Sequence, residues 1–66
     1  MNTTPKLPAD VHVGDTVLID HKTTMVVDRI DVSGVAGSTV TLRGLASNGH
    51  RMRLVSGRCI RVSVVL

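Results

Sequence analysis

Thr39-Val40-Thr41-Leu42-Arg43-Gly44-Leu45-Ala46-Ser47-Asn48-Gly49-His50-Arg51-Met52-Arg53-Leu54-Val55 is the stretch from which every other segment of this chain can be placed. It holds an Asn-Gly pair between two alternating runs, a strong short-range signal for an antiparallel hairpin. Val40, Leu42, Gly44 and Ala46 fall on one face, and Thr39, Thr41, Arg43 and Leu45 on the other. On the return run Met52 and Leu54 alternate with Arg51 and Arg53. A loop of Asn48-Gly49 alone would set Leu54 opposite Arg43 and Arg53 opposite Gly44, mixing charge with apolar groups on both faces. A loop of Ser47-Asn48-Gly49 pairs Ala46 with His50, Gly44 with Met52 and Leu42 with Leu54, and keeps one face apolar. A slip of one residue inverts every side chain, so the pattern predicts the longer loop. Gly49 suits the left-handed position of its bulge because it lacks Cβ.

The same register sets Arg43 opposite Arg53 and Leu45 opposite Arg51 on the outer face. Like charges directly opposite one another destabilise a sheet. Either that face meets something anionic, or the guanidinium groups splay into water.

Working outward, Gly14-Asp15 makes a turn into a first strand, roughly Thr16 to His21, with Val17 and Ile19 inward. Lys22-Thr23 breaks it. A second strand runs from about Thr24 to Val32. Its inward set changes phase, from Met25 and Val27 to Ile30 and Val32, which predicts a bulge or bend near Asp28 and Arg29. Ser33 to Ser38 is a small-residue loop leading into the hairpin. Ser56-Gly57-Arg58 suits one tight or 3-10 turn. The last strand, Cys59 to Leu66, has Ile60, Val62, Val64 and Leu66 on one face. Residues 1–10 read as a short flexible arm, because Pro5 and Pro8 discourage regular structure. The arm is either disordered or laid along the barrel through Leu7 and Val11. The chain ends on Val64-Val65-Leu66, apolar on both sides. That end is either covered by the arm or lies in a subunit contact, so these three residues are candidates for a protein interface.

Composition sets the limits. The 66 residues, with no aromatic side chain and one cysteine, are enough for a single small domain with an aliphatic core. The bias to Val and Thr favours strands over helices. No apolar run approaches the roughly 20 residues that a membrane helix needs, and no signal-peptide pattern opens the chain. Cys59 has no second cysteine to pair with and reads as a half-buried structural residue. His12, His21 and His50 stand at no metal-ligand spacing, and the five Asp residues are scattered over strands and turns. No catalytic residue, metal site, cofactor or small-molecule substrate is expected, and the chain reads as a binding protein rather than an enzyme. Without Phe, Tyr or Trp it cannot build an aromatic groove for proline-rich peptides or a cage for methylated lysine, and the same absence weakens the case for single-stranded nucleic acid, whose bases stack on aromatic rings.

Charge divides the chain. The net charge is +3. Residues 1–33 hold Lys6, Lys22 and Arg29 against Asp10, Asp15, Asp20, Asp28 and Asp31, whereas residues 34–66 hold Arg43, Arg51, Arg53, Arg58 and Arg61 and no acid. Such asymmetry suggests an acidic partner or a self-contact between the halves. Arg is the residue suited to bidentate contact with carboxylate or phosphate.

The order of five strands, with a long bent second strand, a tight third-to-fourth hairpin and a one-turn link before the fifth, resembles the SH3-like small-barrel superfamily. The resemblance covers roughly Val11 to Val65 and implies a five-stranded SH3-like β-barrel over residues 11–66. Val13-Gly14-Asp15-Thr16-Val17 is also similar to the opening of KOW-type domains of transcription and ribosomal proteins. Lys22-Thr23-Thr24-Met25 stands where KOW segments carry further glycines. Size and the use of Arg over Lys resemble small accessory proteins of bacteriophages of actinobacteria, which implies the cytoplasm of a bacterial host. Two functions are expected of such a barrel. One is protein interaction, with a host or virion protein or with itself, through Val64, Val65 and Leu66. The other is duplex DNA or structured RNA binding, with Arg43, Arg51, Arg53 and Arg61 on phosphates.

Overall fold

The computed structural model describes residues 2–66. It is all-β. Six strands, β1 (Thr3–Lys6), β2 (Thr16–Leu18), β3 (Thr24–Ser33), β4 (Thr39–Ala46), β5 (Arg51–Gly57) and β6 (Val62–Val65), form one antiparallel sheet in the order β1-β6-β2-β3-β4-β5. Short 3-10 turns span Pro8–Asp10 and Val35–Gly37. The five-stranded closed barrel expected from the sequence is corrected in two respects. The segment expected as an arm supplies a sixth strand, and no ladder joins β5 to β1, so the sheet stays open with those two strands as its edges. A barrel requires its last strand to pair with its first. Met1, the first residue of the expected arm, lies outside the described residues.

The hairpin has the register that its alternation predicts. Leu42 pairs with Leu54, Gly44 with Met52, Arg43 with Arg53 and Leu45 with Arg51. Ala46 N–H donates to His50 O (2.8 Å) and Gly49 N–H to Ala46 O (3.0 Å), closing the loop over Ser47-Asn48-Gly49. Gly49 has φ 87°, the left-handed value that a side chain resists. β3 shifts register between Val27 and Arg29, leaving Asp28 as the bulged residue. Next to this bulge β3 passes so close to β4 that a Cβ on Gly44 would stand 1.8 Å from Val26 O. The close approach is possible because position 44 carries no side chain.

The inner faces of the strands bury an aliphatic core of Val11, Val17, Met25, Val27, Val40, Leu42, Val62 and Val64, with Ile19, Ile30, Met52 and Leu54 packed against it. Three residues expected inward are exposed. Val32 lies beyond the core at the end of β3, while Ile60 and Leu66 flank a last strand shorter than predicted. Cys59, expected half-buried, is exposed in the turn between β5 and β6. That turn is a single one, with Ile60 N–H donating to Gly57 O at 3.0 Å.

β1 pairs with β6 from Thr3↔Val65 to Lys6↔Val62, and Leu66 N–H donates to Asn2 O (2.9 Å). Of the two fates open to the apolar chain end, cover by the N-terminal segment is the one observed. β6 is therefore an interior strand, flanked by β1 and β2. Bonded and non-bonded pairs alternate along an antiparallel ladder. With Asn2 and Leu66 bonded, Pro5 falls at a non-bonded position, and its missing N–H faces away from β6. That is the side on which an edge strand tolerates proline.

Candidate arginine-lined binding surface

The outer face of β3, β4 and β5 carries a cluster of arginines. Arg29 pairs with Arg43 across β3 and β4, and Arg43 with Arg53 across β4 and β5. Three arginines thus stand in one row across three adjacent strands, each about 4.8 Å from the next in the hydrogen-bonding direction. Arg51, Arg53, Arg43, Arg29 and Met52 line a shallow depression of about 430 Å³.

Two acids from the first half of the chain explain why the row is tolerated. Asp31 stands two residues beyond Arg29 on the same face. It accepts from Arg29 Nε at 3.2 Å and from Arg43 Nε at 3.0 Å. Asp28, turned outward by the bulge, accepts from Arg51 Nη2 through both carboxylate oxygens, at 3.0 and 2.9 Å. The side chains of these pairs are 37% to 70% exposed. Each pair therefore contributes at most about 1 kcal/mol and orients guanidinium groups more than it stabilises the fold. Arg53 makes no ion pair or side-chain hydrogen bond among the described residues. The face holds four arginines against two aspartates. Beside it Val26 and Leu45 pair with one another, each about half exposed, and Leu45 pairs with Arg51.

Arg43, Arg51 and Arg53, singled out in the sequence, come together here, and Arg61 does not. Arg61 is exposed just before β6 and does not line the depression. Arg29, which the sequence reading passed over, joins them. Its signal was available, since a bulge at Asp28 moves Arg29 into register with Arg43. Arg58 is held by the loop, donating from Nη1 to Ala36 O at 3.1 Å. The proposed interface residues Val64, Val65 and Leu66 do not share one surface. Val64 is buried in the core, Val65 is half-buried and Leu66 is exposed.

The remaining polar side chains shape loops. Asp15 Oδ2 accepts from His12 N–H (3.0 Å), and Asn48 Oδ1 from His50 N–H (3.0 Å). Asp20 Oδ1 accepts from Lys22 N–H (2.9 Å) and Thr23 N–H (2.8 Å). These donors, Lys22 N–H first, hold the Asp20 carboxyl below its ordinary value. Among the described residues no three His, Cys, Asp or Glu side chains gather into a metal-binding group. No helix there is long and apolar enough to cross a membrane. Comparison with protein-family models, with curated proteins and with solved structures finds no match for this chain.

Proposed function

We propose that this chain is a non-enzymatic binding module that engages an acidic protein partner through the outer face of β3, β4 and β5. The observation that carries this reading is the row Arg29, Arg43, Arg53, with Arg53 unmatched, bordered by half-exposed Val26 and Leu45. Arginine beside accessible aliphatic surface is the composition of protein interfaces, where Arg is enriched and Lys depleted. Asp28 and Asp31 sit within the cluster, where a dense run of phosphates would face them as like charges. A partner offering single carboxylates can reach Arg53 and the terminal nitrogens of Arg43 while setting fewer negative charges against those two acids. The order β6-β2-β3-β4-β5, with its one-turn link before β6, supports reading these five strands as an SH3-like unit extended by β1.

Duplex nucleic-acid binding is the second reading, favoured by the five arginines and no acid of residues 34–66. Affinity capture from cell extract with and without nuclease separates the two. The acidic-partner reading expects a protein partner that survives nuclease and is lost when Arg43 and Arg53 are changed to Glu. A partner lost on nuclease treatment, together with duplex affinity falling by about 0.9 log unit per log unit of salt for each phosphate contacted, would replace it with the second reading.

A further inference from the structure

β5 is an open edge, and its register states which groups it offers. The bond from Ala46 N–H to His50 O sets the phase of the ladder, so the bonded pairs are Gly44/Met52, Leu42/Leu54 and Val40/Ser56. The N–H and C=O groups of Arg51, Arg53 and Val55 therefore point away from β4. None of them finds a backbone partner among the described residues. Side chains on either side of this edge differ in character. On the outer face Arg51 is held by Asp28, and Arg53 is unmatched. On the inner face Met52 and Leu54 pack on the core but are only half-buried, because no strand lies beyond β5.

We propose that the acidic partner is taken up as an extended segment that adds a seventh strand beside β5. A carboxylate of that segment faces Arg53, and the aliphatic residues flanking it lie against Met52 and Leu54. The alternation follows from the period of two along a strand, and the backbone groups of Arg51, Arg53 and Val55 supply the ladder. This rests on the acidic-partner reading above and specifies its geometry. Charge complementarity selects the occupant. A second copy of this chain has β1 and β5 as its edges, and neither Thr3-Thr4-Pro5-Lys6 nor Arg51-Met52-Arg53-Leu54-Val55-Ser56-Gly57 contains an acid. Pairing two β5 strands in full overlap would gather both copies of Arg51 and Arg53 on one face without a counter-charge.

The test uses the full chain and a capped eight-residue peptide that alternates glutamate with valine. The control is a block peptide of the same composition, and the readout is residue-resolved amide hydrogen exchange. The alternating peptide should slow exchange at Arg51, Arg53 and Val55 by roughly tenfold or more, and the block peptide should not. Arg53→Glu should abolish this protection. Val55→Pro removes an edge N–H and no charge, so with its spectrum otherwise intact it should weaken binding by roughly tenfold. Binding of the peptide without slowing of those amides, but lost in Arg43→Glu, overturns strand addition and leaves the acidic-partner reading standing. Failure of both peptides to bind at millimolar concentration overturns both. Protection of the same amides without peptide, rising with protein concentration, makes the occupant a second copy and overturns the proposal.

Discussion

β1 and β5 both terminate the sheet, yet β1 spans Thr3–Lys6 and carries Pro5, while β5 spans Arg51–Gly57 and has no proline. On β1 the outward positions of the ladder are Thr3 and Pro5, so one of its two outward donors is missing. Short edges, proline and lysine are the devices by which sheets avoid pairing with other chains. β5 keeps its outward donors at Arg51, Arg53 and Val55 and defends the edge with positive charge alone. Charge excludes another basic edge but invites an acidic one. The difference extends inward. The two strands that follow β1 in the sheet, β6 and then β2, are four and three residues long, whereas β3 and β4 have ten and eight. One end of the molecule is a closed-off flank, and the other is a long-stranded platform.

The most damaging change to this contrast is Gly44→Ala. Its Cβ would overlap the backbone oxygen of Val26, which cannot swing aside as the tip of a flexible side chain could. β3 and β4 would have to move apart there, at an expected cost of about 3 kcal/mol, the upper part of the range for overpacking. Chemical denaturation should show a lower midpoint. An unchanged midpoint would mean that β3 and β4 do not need the close approach.

Removing residues 2–6 attacks the other flank. The chain would lose the β1–β6 ladder and the cover over Val64, while recovering the conformational entropy of five residues. A net loss of about 2 kcal/mol is expected from a few backbone hydrogen bonds and the uncovered valine. β6 would then be a bare, proline-free apolar edge, so light scattering should find concentration-dependent association beyond any shown by the intact chain. A truncated chain that stays monomeric would show that β1 is not what protects this end.

Legibility in the sequence follows the same divide. The platform could be read because each of its cues is local. Leu42 and Leu54 share parity across an Asn-Gly turn, and the phase change from Met25 and Val27 to Ile30 locates the bulge. β1 could not be read, because Thr3, Thr4, Pro5 and Lys6 hold no apolar alternation. Its pairing is fixed by β6, nearly sixty residues away. The open sheet was missed for a related reason, since alternation assigns faces and says nothing of whether the last strand meets the first. On the arginine-lined face the opposition of Arg43 and Arg53 was visible, but its relief was not. Asp31 lies on the far strand of the three and reaches Arg43 only once the bulge has set the register of β3.

The smallest expected effect concerns the turn that joins the flank to the platform. Ile19 N–H and Asp20 N–H both donate to Thr23 O, and the Asp20 carboxylate takes the N–H groups of Lys22 and Thr23. Those bonds, Lys22 first, lower the folded pKa of Asp20 below its ordinary value of 3.8. A carboxyl whose folded pKa is depressed contributes stability that is present above the unfolded value and lost as pH falls through the folded one. The contribution should therefore be complete at neutral pH and be lost in the acid range, as pH falls below the ordinary value of 3.8. Asp20→Asn keeps an acceptor oxygen but no titrating charge, so its stability curve should be flatter than the parent's in that window and parallel to it above. Residue-resolved exchange during the same titration sharpens the contrast between the two ends. Loosening should reach Val17 and Leu18 on three-residue β2 before Leu42 and Leu54, because the turn anchors the short strand and the hairpin anchors the long ones. If the hairpin amides respond first, the flank and the platform are not separate units of stability.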